Sequence, residues 1–160
     1  MALWKQKEDW TYEYFDLDED VSTFIGAESF VELWNTKRGN RRVPRWSDYD
    51  WDDLFPWWGS LVVSDVFWEP YDYRYRLYGT NVVNKIGIDV TGKRASELID
   101  INYVDDTEME FYEMVGRNLH ITKTSGLIRM PGREHIKETF VELPLSDTGD
   151  RATHGLALLV

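Results

Sequence analysis

The sequence predicts an α+β domain: five antiparallel strands with short helices on one face, preceded by a helical and aromatic N-terminal extension. Three observations lead there. Residues 71–78 (YDYRYRLY) alternate tyrosine or leucine with charged side chains, as a strand with two unlike faces does. Ala27, Phe30, Val31 and Trp34 fall at i, i+3, i+4 and i+7, which is one face of a helix. Along the chain the elements run helix, two strands, small helices, a helix and three strands.

Residues 1–26 form an acidic, aromatic extension with no clean period, expected to pack by its aromatics or to stay partly mobile. Residues 27–58 hold a helix over about 27–38 and a tryptophan-rich connector. Lys37 and Arg38 occupy the last turn of that helix, and Gly39 stops it. The core, 59–160, opens with an apolar, β-branched strand at 61–67 (LVVSDVF), and Glu69-Pro70 turns the chain into its antiparallel partner at 71–78. Strict alternation puts Tyr71, Tyr73, Tyr75 and Leu77 on one face. Arg74 and Arg76 then point the other way, where they are expected to hold carboxylates across the strand or from the N-terminal cap.

Thr80 can cap a short helix whose apolar side is Val82, Val83 and Ile86, and Gly87 can end it. Residues 95–99 make another brief turn. Residues 106–119 read as a helix with Met109, Tyr112, Val115 and Leu119 turned inward. Strands follow at 126–130, 135–145 and 152–160, separated by turns at Pro131-Gly132 and at 146–150 (SDTGD). In the middle one, Thr139, Val141, Leu143 and Leu145 share a face.

Composition narrows the function. At 160 residues the chain is one domain by length, able to bury a core without staples. It has no cysteine, which removes disulfides, thiolate zinc sites and cysteine nucleophiles. The net charge of −11 repels phosphate backbones, so nucleic acid is not an expected partner. No apolar run approaches the ~20 residues that span a bilayer, and the N-terminus has no apolar signal region, so no membrane partner and a cytoplasmic location are expected. Residues 37–45 (KRGNRRVPR) carry five bases and no acid, read as a solvated helix end balanced by Asp48, Asp50, Asp52 and Asp53 rather than as an anion dock. All eight tryptophans lie at or before Trp68, which fits either a core under an N-terminal cap or an association surface.

Three stretches together resemble a PAS domain, a small sensor module of bacterial signalling proteins: RYRLYGT at 74–80, VVNKIGIDVTGKRASEL at 82–98 followed by Asp105-Asp106, and the terminal hairpin ETFVELPLSDTG…HGLALLV. With LWNTKRGNRRVPRWSDYD at 33–50 they are similar to a branch of largely uncharacterised bacterial stand-alone PAS proteins, over about 28–160. The resemblance implies a five-stranded sheet that encloses a cavity with its short helices. It further implies binding of haem, flavin or a metabolite there, or of nothing, and dimer contacts through helices that precede the core.

The residues argue against several of these chemistries. A cysteine-linked flavin is excluded by the absence of cysteine. Haem PAS domains draw an axial histidine from the helix near the cavity, and 95–106 has none, so haem is not expected; His120 at the next helix end is a weak substitute. His135 and His154 show no ligand spacing. The DLDED run at 16–20 is similar to a calcium loop but lacks its glycine and its later glutamate. Glu108, Glu110 and Glu113 have no histidine at helical spacing, and neither a G-x-S-x-G nor a phosphate loop occurs. Candidates to line a cavity are Tyr73, Tyr75, Leu77, Val83, Ile86, Tyr112 and Val115.

The expectation is a sensory or interaction domain without catalysis that binds a small molecule or a partner protein, forms a homodimer and passes its signal to a downstream protein. No catalytic residue, metal or cofactor is assigned. The alternative is a small cavity enzyme or ligand carrier, marked by Asp65, Asp89 or His120 entering a closed pocket.

Overall fold

The computed structural model describes residues 2–160, and its single sheet has seven antiparallel strands where the sequence pattern predicts five. They are β1 (Ala2–Lys7), β2 (Trp10–Phe15), β3 (Leu61–Phe67), β4 (Asp72–Tyr78), β5 (Ile121–Leu127), β6 (Lys137–Leu145) and β7 (His154–Leu159), in the order β1-β2-β5-β6-β7-β3-β4. The two added strands are an N-terminal hairpin. It joins the sheet through β2 and β5, in register from Thr11↔Ser125 to Phe15↔Ile121. A period-2 signal is present there, since Trp10, Tyr12 and Tyr14 alternate with Thr11 and Glu13. The acids on either side of it obscure it.

Both faces of the sheet are covered. Helix α1 (Glu28–Arg38) and the connector, including the one-turn α2 (Trp51–Leu54), lie on one face. There Phe30, Val31 and Trp34 bury against Val63, Val141, Leu143 and Leu156, the last three from the central β6 and β7. The helices α3 (Thr80–Ile86) and α4 (Asp106–Asn118), with the turn at Ala95–Leu98, cover the other face. The short core helices thus share one face as expected, and α1 takes the opposite one.

Two local departures from the sequence reading have clear causes. Strand β5 begins at Ile121 rather than at 126, because α4 ends in a left-handed Leu119 (φ 59°) and the chain enters the sheet at once. The polar side chains of ITKTS disguise this strand, although Thr122 and Thr124 are buried. In β4 a bulge interrupts the alternation: Val63 pairs with Leu77 but Ser64 pairs with Tyr75, so Arg76 is an extra residue. Leu77 therefore turns to the α1 face, and Tyr78 takes the place that alternation predicts for it.

The same bulge lets Arg74 and Arg76 both reach Asp65, at 2.9 and 2.7 Å. These bonds hold the Asp65 carboxyl below its usual pKa against the opposing cost of burial. The basic stretch after α1 is likewise internally paired, Lys37 with Asp53 at 2.8 Å and Arg41 with Asp48.

The tryptophans divide between core and surface. Trp34 is fully buried and donates from Nε1 to the Pro144 carbonyl at 3.0 Å, while Trp51 and Trp58 stand exposed beside Phe55. Trp34→Ala is expected to lower unfolding free energy by about 3–5 kcal/mol, whereas Trp58→Ala should change it by less than ~1 kcal/mol. Urea titration of both variants, followed by far-UV circular dichroism, checks the contrast.

Candidate ligand-binding site

Between the sheet and α3, α4 and the 95–98 turn lies a chamber of about 80 Å³. That is several times the roughly 10–15 Å³ that one water requires. Its walls are aromatic. Tyr73, Tyr75 and Tyr78 enter from β4, Tyr71 from just before it, Tyr112 from α4 and Tyr103 from the loop ahead of α4. The rings meet edge to face: Tyr73–Tyr75 at 5.5 Å and 80°, Tyr75–Tyr78 at 5.8 Å and 88°, Tyr73–Tyr112 at 5.8 Å and 68°. This arrangement sets the positive ring edge against the negative ring face. Burial raises the phenol pKa of Tyr73, Tyr75, Tyr103 and Tyr112, so all four stay neutral.

Three carboxylates share this apolar space. Glu108 comes from the first turn of α4, where Asp105 caps the helix by accepting from the Glu108 N–H at 2.8 Å. Glu138 and Glu142 come from β6, on the face opposite Val141 and Leu143. Burial pushes Glu108 up to about 7, even though Arg129 opposes the shift. Burial, then the nearby Glu108, raises Glu138 to about 8 and Glu142 to about 7. Glu138 Oε2 is buried with no hydrogen-bond partner. Glu142 lies over Gly155 of β7, where an added Cβ would clash with its Oε1 and push the carboxylate aside.

One cation enters the group. Arg129 bonds Glu108 at 3.5 Å, Asp105 at 3.3 Å and the Tyr12 hydroxyl at 3.3 Å, and its guanidinium lies 4.9 Å over the Trp10 ring. Trp10 in turn packs flat on Gly126, where any Cβ would collide with the indole. The N-terminal hairpin thereby supplies part of the chamber wall. Beyond Trp10, Ile128 and Arg129 a second, outer cleft of about 420 Å³ opens among Lys7, Asp9, Asn102 and Glu134.

Of the seven residues that the sequence singles out, Tyr73, Tyr75, Ile86 and Tyr112 line the chamber. Val83 packs behind it in the same cluster. Val115 sits with Tyr12 and Phe111 and lines a separate crevice of about 20 Å³. Leu77 is corrected to the opposite face by the β4 bulge. The markers of the alternative reading lie outside the chamber: Asp65 faces α1's side, Asp89 closes an exposed turn by accepting from Thr91, and His120 leans on Tyr14 at 4.8 Å and lines the small crevice shared by Val115 and Glu142.

The lining residues that sequence reasoning missed include Trp10, Tyr78, Tyr103, Glu108, Arg129, Glu138 and Glu142. A signal existed for the two glutamates of β6. If Val141, Leu143 and Leu145 face one way, alternation sends Glu138, Phe140 and Glu142 the other way, into the space under the helices. Among the described residues no group of three or more acids and histidines is placed to hold a metal ion. Nor is any described helix long and apolar enough to cross a membrane.

The model of the PAS domain family matches residues 24–156, most of the chain, and the protein belongs to that family. No curated protein and no solved structure matches it. The hairpin that carries Trp10 and Tyr12 lies outside the matched residues.

The raised carboxylates have a consequence for stability. A folded-state pKa above the unfolded value means that the fold retains the proton longer, so its contribution is full at low pH and is lost as pH rises through about 7 to 8. Glu138→Gln removes one such group. Relative to wild type, its stability should increase as pH rises from 5 to 9, by at most about 1.4 kcal/mol per pH unit. Thermal melts of both proteins across that range test the sign; parallel curves would contradict it.

Proposed function

We propose that this PAS domain is a sensor whose chamber binds a small molecule and whose signal is a change in the packing of α4 and the N-terminal hairpin. A sensory or interaction role is general to the family. The observation that carries the finer reading is an interior with room to spare and polar groups left without partners. Glu138 Oε2 is buried with no hydrogen-bond donor, an arrangement that costs free energy in an empty fold and that a ligand would relieve. Ligand contacts would fall on β4, β6 and α4, three elements that meet the rest of the molecule on their far sides.

Association with a second copy belongs to the same proposal. The exposed Trp51, Phe55 and Trp58, in edge-to-face contact at 5.3 to 6.0 Å, make the aromatic patch that a homodimer would cover. A second reading, a cavity enzyme or carrier, draws support from carboxylic acids poised near neutral pH, as acid–base chemistry requires.

Native mass spectrometry of freshly purified protein tests these together. The sensor reading expects a retained small molecule that is chemically unchanged after prolonged incubation, and a dimer that Trp58→Ala weakens. Ala157→Leu, which fills the chamber floor from β7, should abolish retention while the protein stays folded. Retention unaffected by Ala157→Leu would sink the chamber as the binding site, and conversion of the ligand would favour the enzyme.

A further inference from the structure

We propose that the chamber's ligand is a linear aliphatic diammonium ion, with one charged end at Glu138, the other at Glu142, and its methylene chain between tyrosine faces. This rests on the chamber being a ligand site and adds the chemistry of what enters it.

Charge is the first indication of what the chamber holds. Three carboxylates face the interior, and the chamber's one lining cation, Arg129, already bonds Glu108 and Asp105. Glu138 and Glu142 are left over. Glu138 Oε2 is buried without a hydrogen-bond partner and feels Arg129 and Lys85 only from a distance, and no cation is among the groups that shift Glu142. Two carboxyls without a bonded counterion offer two places where an ammonium group can replace the proton that burial favours there.

Spacing then decides how those charges are arranged. Glu138 and Glu142 lie four residues apart on one face of one strand, which separates their Cα atoms by about 13 Å. A single metal ion cannot bridge that span unless the side chains converge, and no metal-holding group occurs among the described residues. A flexible chain with a charge at each end can. What lies between is apolar and aromatic, with Phe140 on the strand between the glutamates and Tyr73, Tyr75 and Tyr112 opposite. Methylene groups gain from such burial, and ammonium ions are attracted to the faces of the rings.

Groups on every packed element bear on the titration. Glu138 feels Glu108 of α4, Arg129 of the loop after β5 and Lys85 of α3, with Tyr78 and Tyr103 in range. Glu142 feels Glu108, with Tyr71 and Tyr112 in range, and it lines a small crevice with His120 after α4 and His154 of β7. In the empty chamber Glu138, raised to about 8, keeps its proton at neutral pH and Glu142, raised to about 7, is near half protonation; a dication displaces these protons. Its ammonium groups, when four or five methylenes separate them, titrate at about 10 like the lysine ammonium and stay charged throughout. Binding should therefore tighten as pH rises from about 6 to 8.5, by roughly tenfold or more.

The test is isothermal titration of the full chain with 1,3-diaminopropane, 1,4-diaminobutane and 1,5-diaminopentane, beside n-butylamine and the uncharged 1,4-butanediol. At least one diamine is expected to bind roughly tenfold or more tighter than butylamine, with butanediol weaker still. Glu138→Gln and Glu142→Gln keep the side-chain shape and remove the charge. Each should bring the diamine to the level of the monoamine and flatten the pH dependence. Equal binding of butanediol and diamine, blocked by Ala157→Leu, would overturn the dication while leaving the chamber as a binding site. Diamine binding unchanged in Glu138→Gln/Glu142→Gln would place the amine elsewhere. No binding by any diamine also refutes the proposal, and retention of a native ligand then decides the chamber separately.

Discussion

Much of this structure follows from placing carboxylates inside an aromatic interior. Removing an ionised carboxylate from water costs several kcal/mol after relaxation, and a partner offsets that only with good geometry. Glu108 has such a partner in Arg129 at 3.5 Å, whereas Glu138 and Glu142 do not. At neutral pH the molecule lessens the cost by keeping protons on them, which is what pKa values of about 8 and 7 mean. The remaining cost is borne by the opposite face of the same strand. There Val141, Leu143 and Leu145 are buried under α1, so β6 is held in place by its apolar side whatever its acidic side does.

Two-sided burial also explains which parts of the molecule were legible in the sequence. Helix α1 announced itself because Phe30, Val31 and Trp34 repeat at helical spacing and Gly39 follows, and its observed bounds lie within a residue of the expected ones. The β3–β4 hairpin and α4 were read for similar reasons of period. Leu77 was misplaced because a bulge at Arg76 leaves no mark in a pattern that alternates perfectly on paper. The chamber's charged residues were missed through a default assumption that acids on a strand face water. That holds for a sheet with one wet face, and here neither face is wet near β6.

The N-terminal hairpin was hidden for another reason. Its six-residue strands are short, and acids at Glu8, Asp9, Asp16 and Asp18 surround them, so composition suggests a solvated tail. What fixes it is complementarity that appears only in space. Trp10 needs the bare backbone of Gly126, more than a hundred positions away in sequence, and Tyr12 packs on Phe111 at 5.2 Å. A lone tryptophan and a lone glycine carry no such message until the strands pair.

Arg129 ties these separate parts into one system. Its guanidinium is divided among Glu108 in the chamber, Asp105 at the α4 cap and Tyr12 on the hairpin, while stacking on Trp10. Asp105 is shared again, with Lys7 at 3.4 Å near the end of β1. A rigid planar donor set cannot strengthen one of these bonds without re-aiming at the others. Protonation of Glu108, which burial pushes up to about 7, changes the charge that Arg129 meets there. That change is therefore felt at the first turn of α4 and at the hairpin, with no backbone rearrangement required to carry it. The coupling is local, charge-based and confined to one side chain, and that side chain also stands between the inner chamber and the outer cleft.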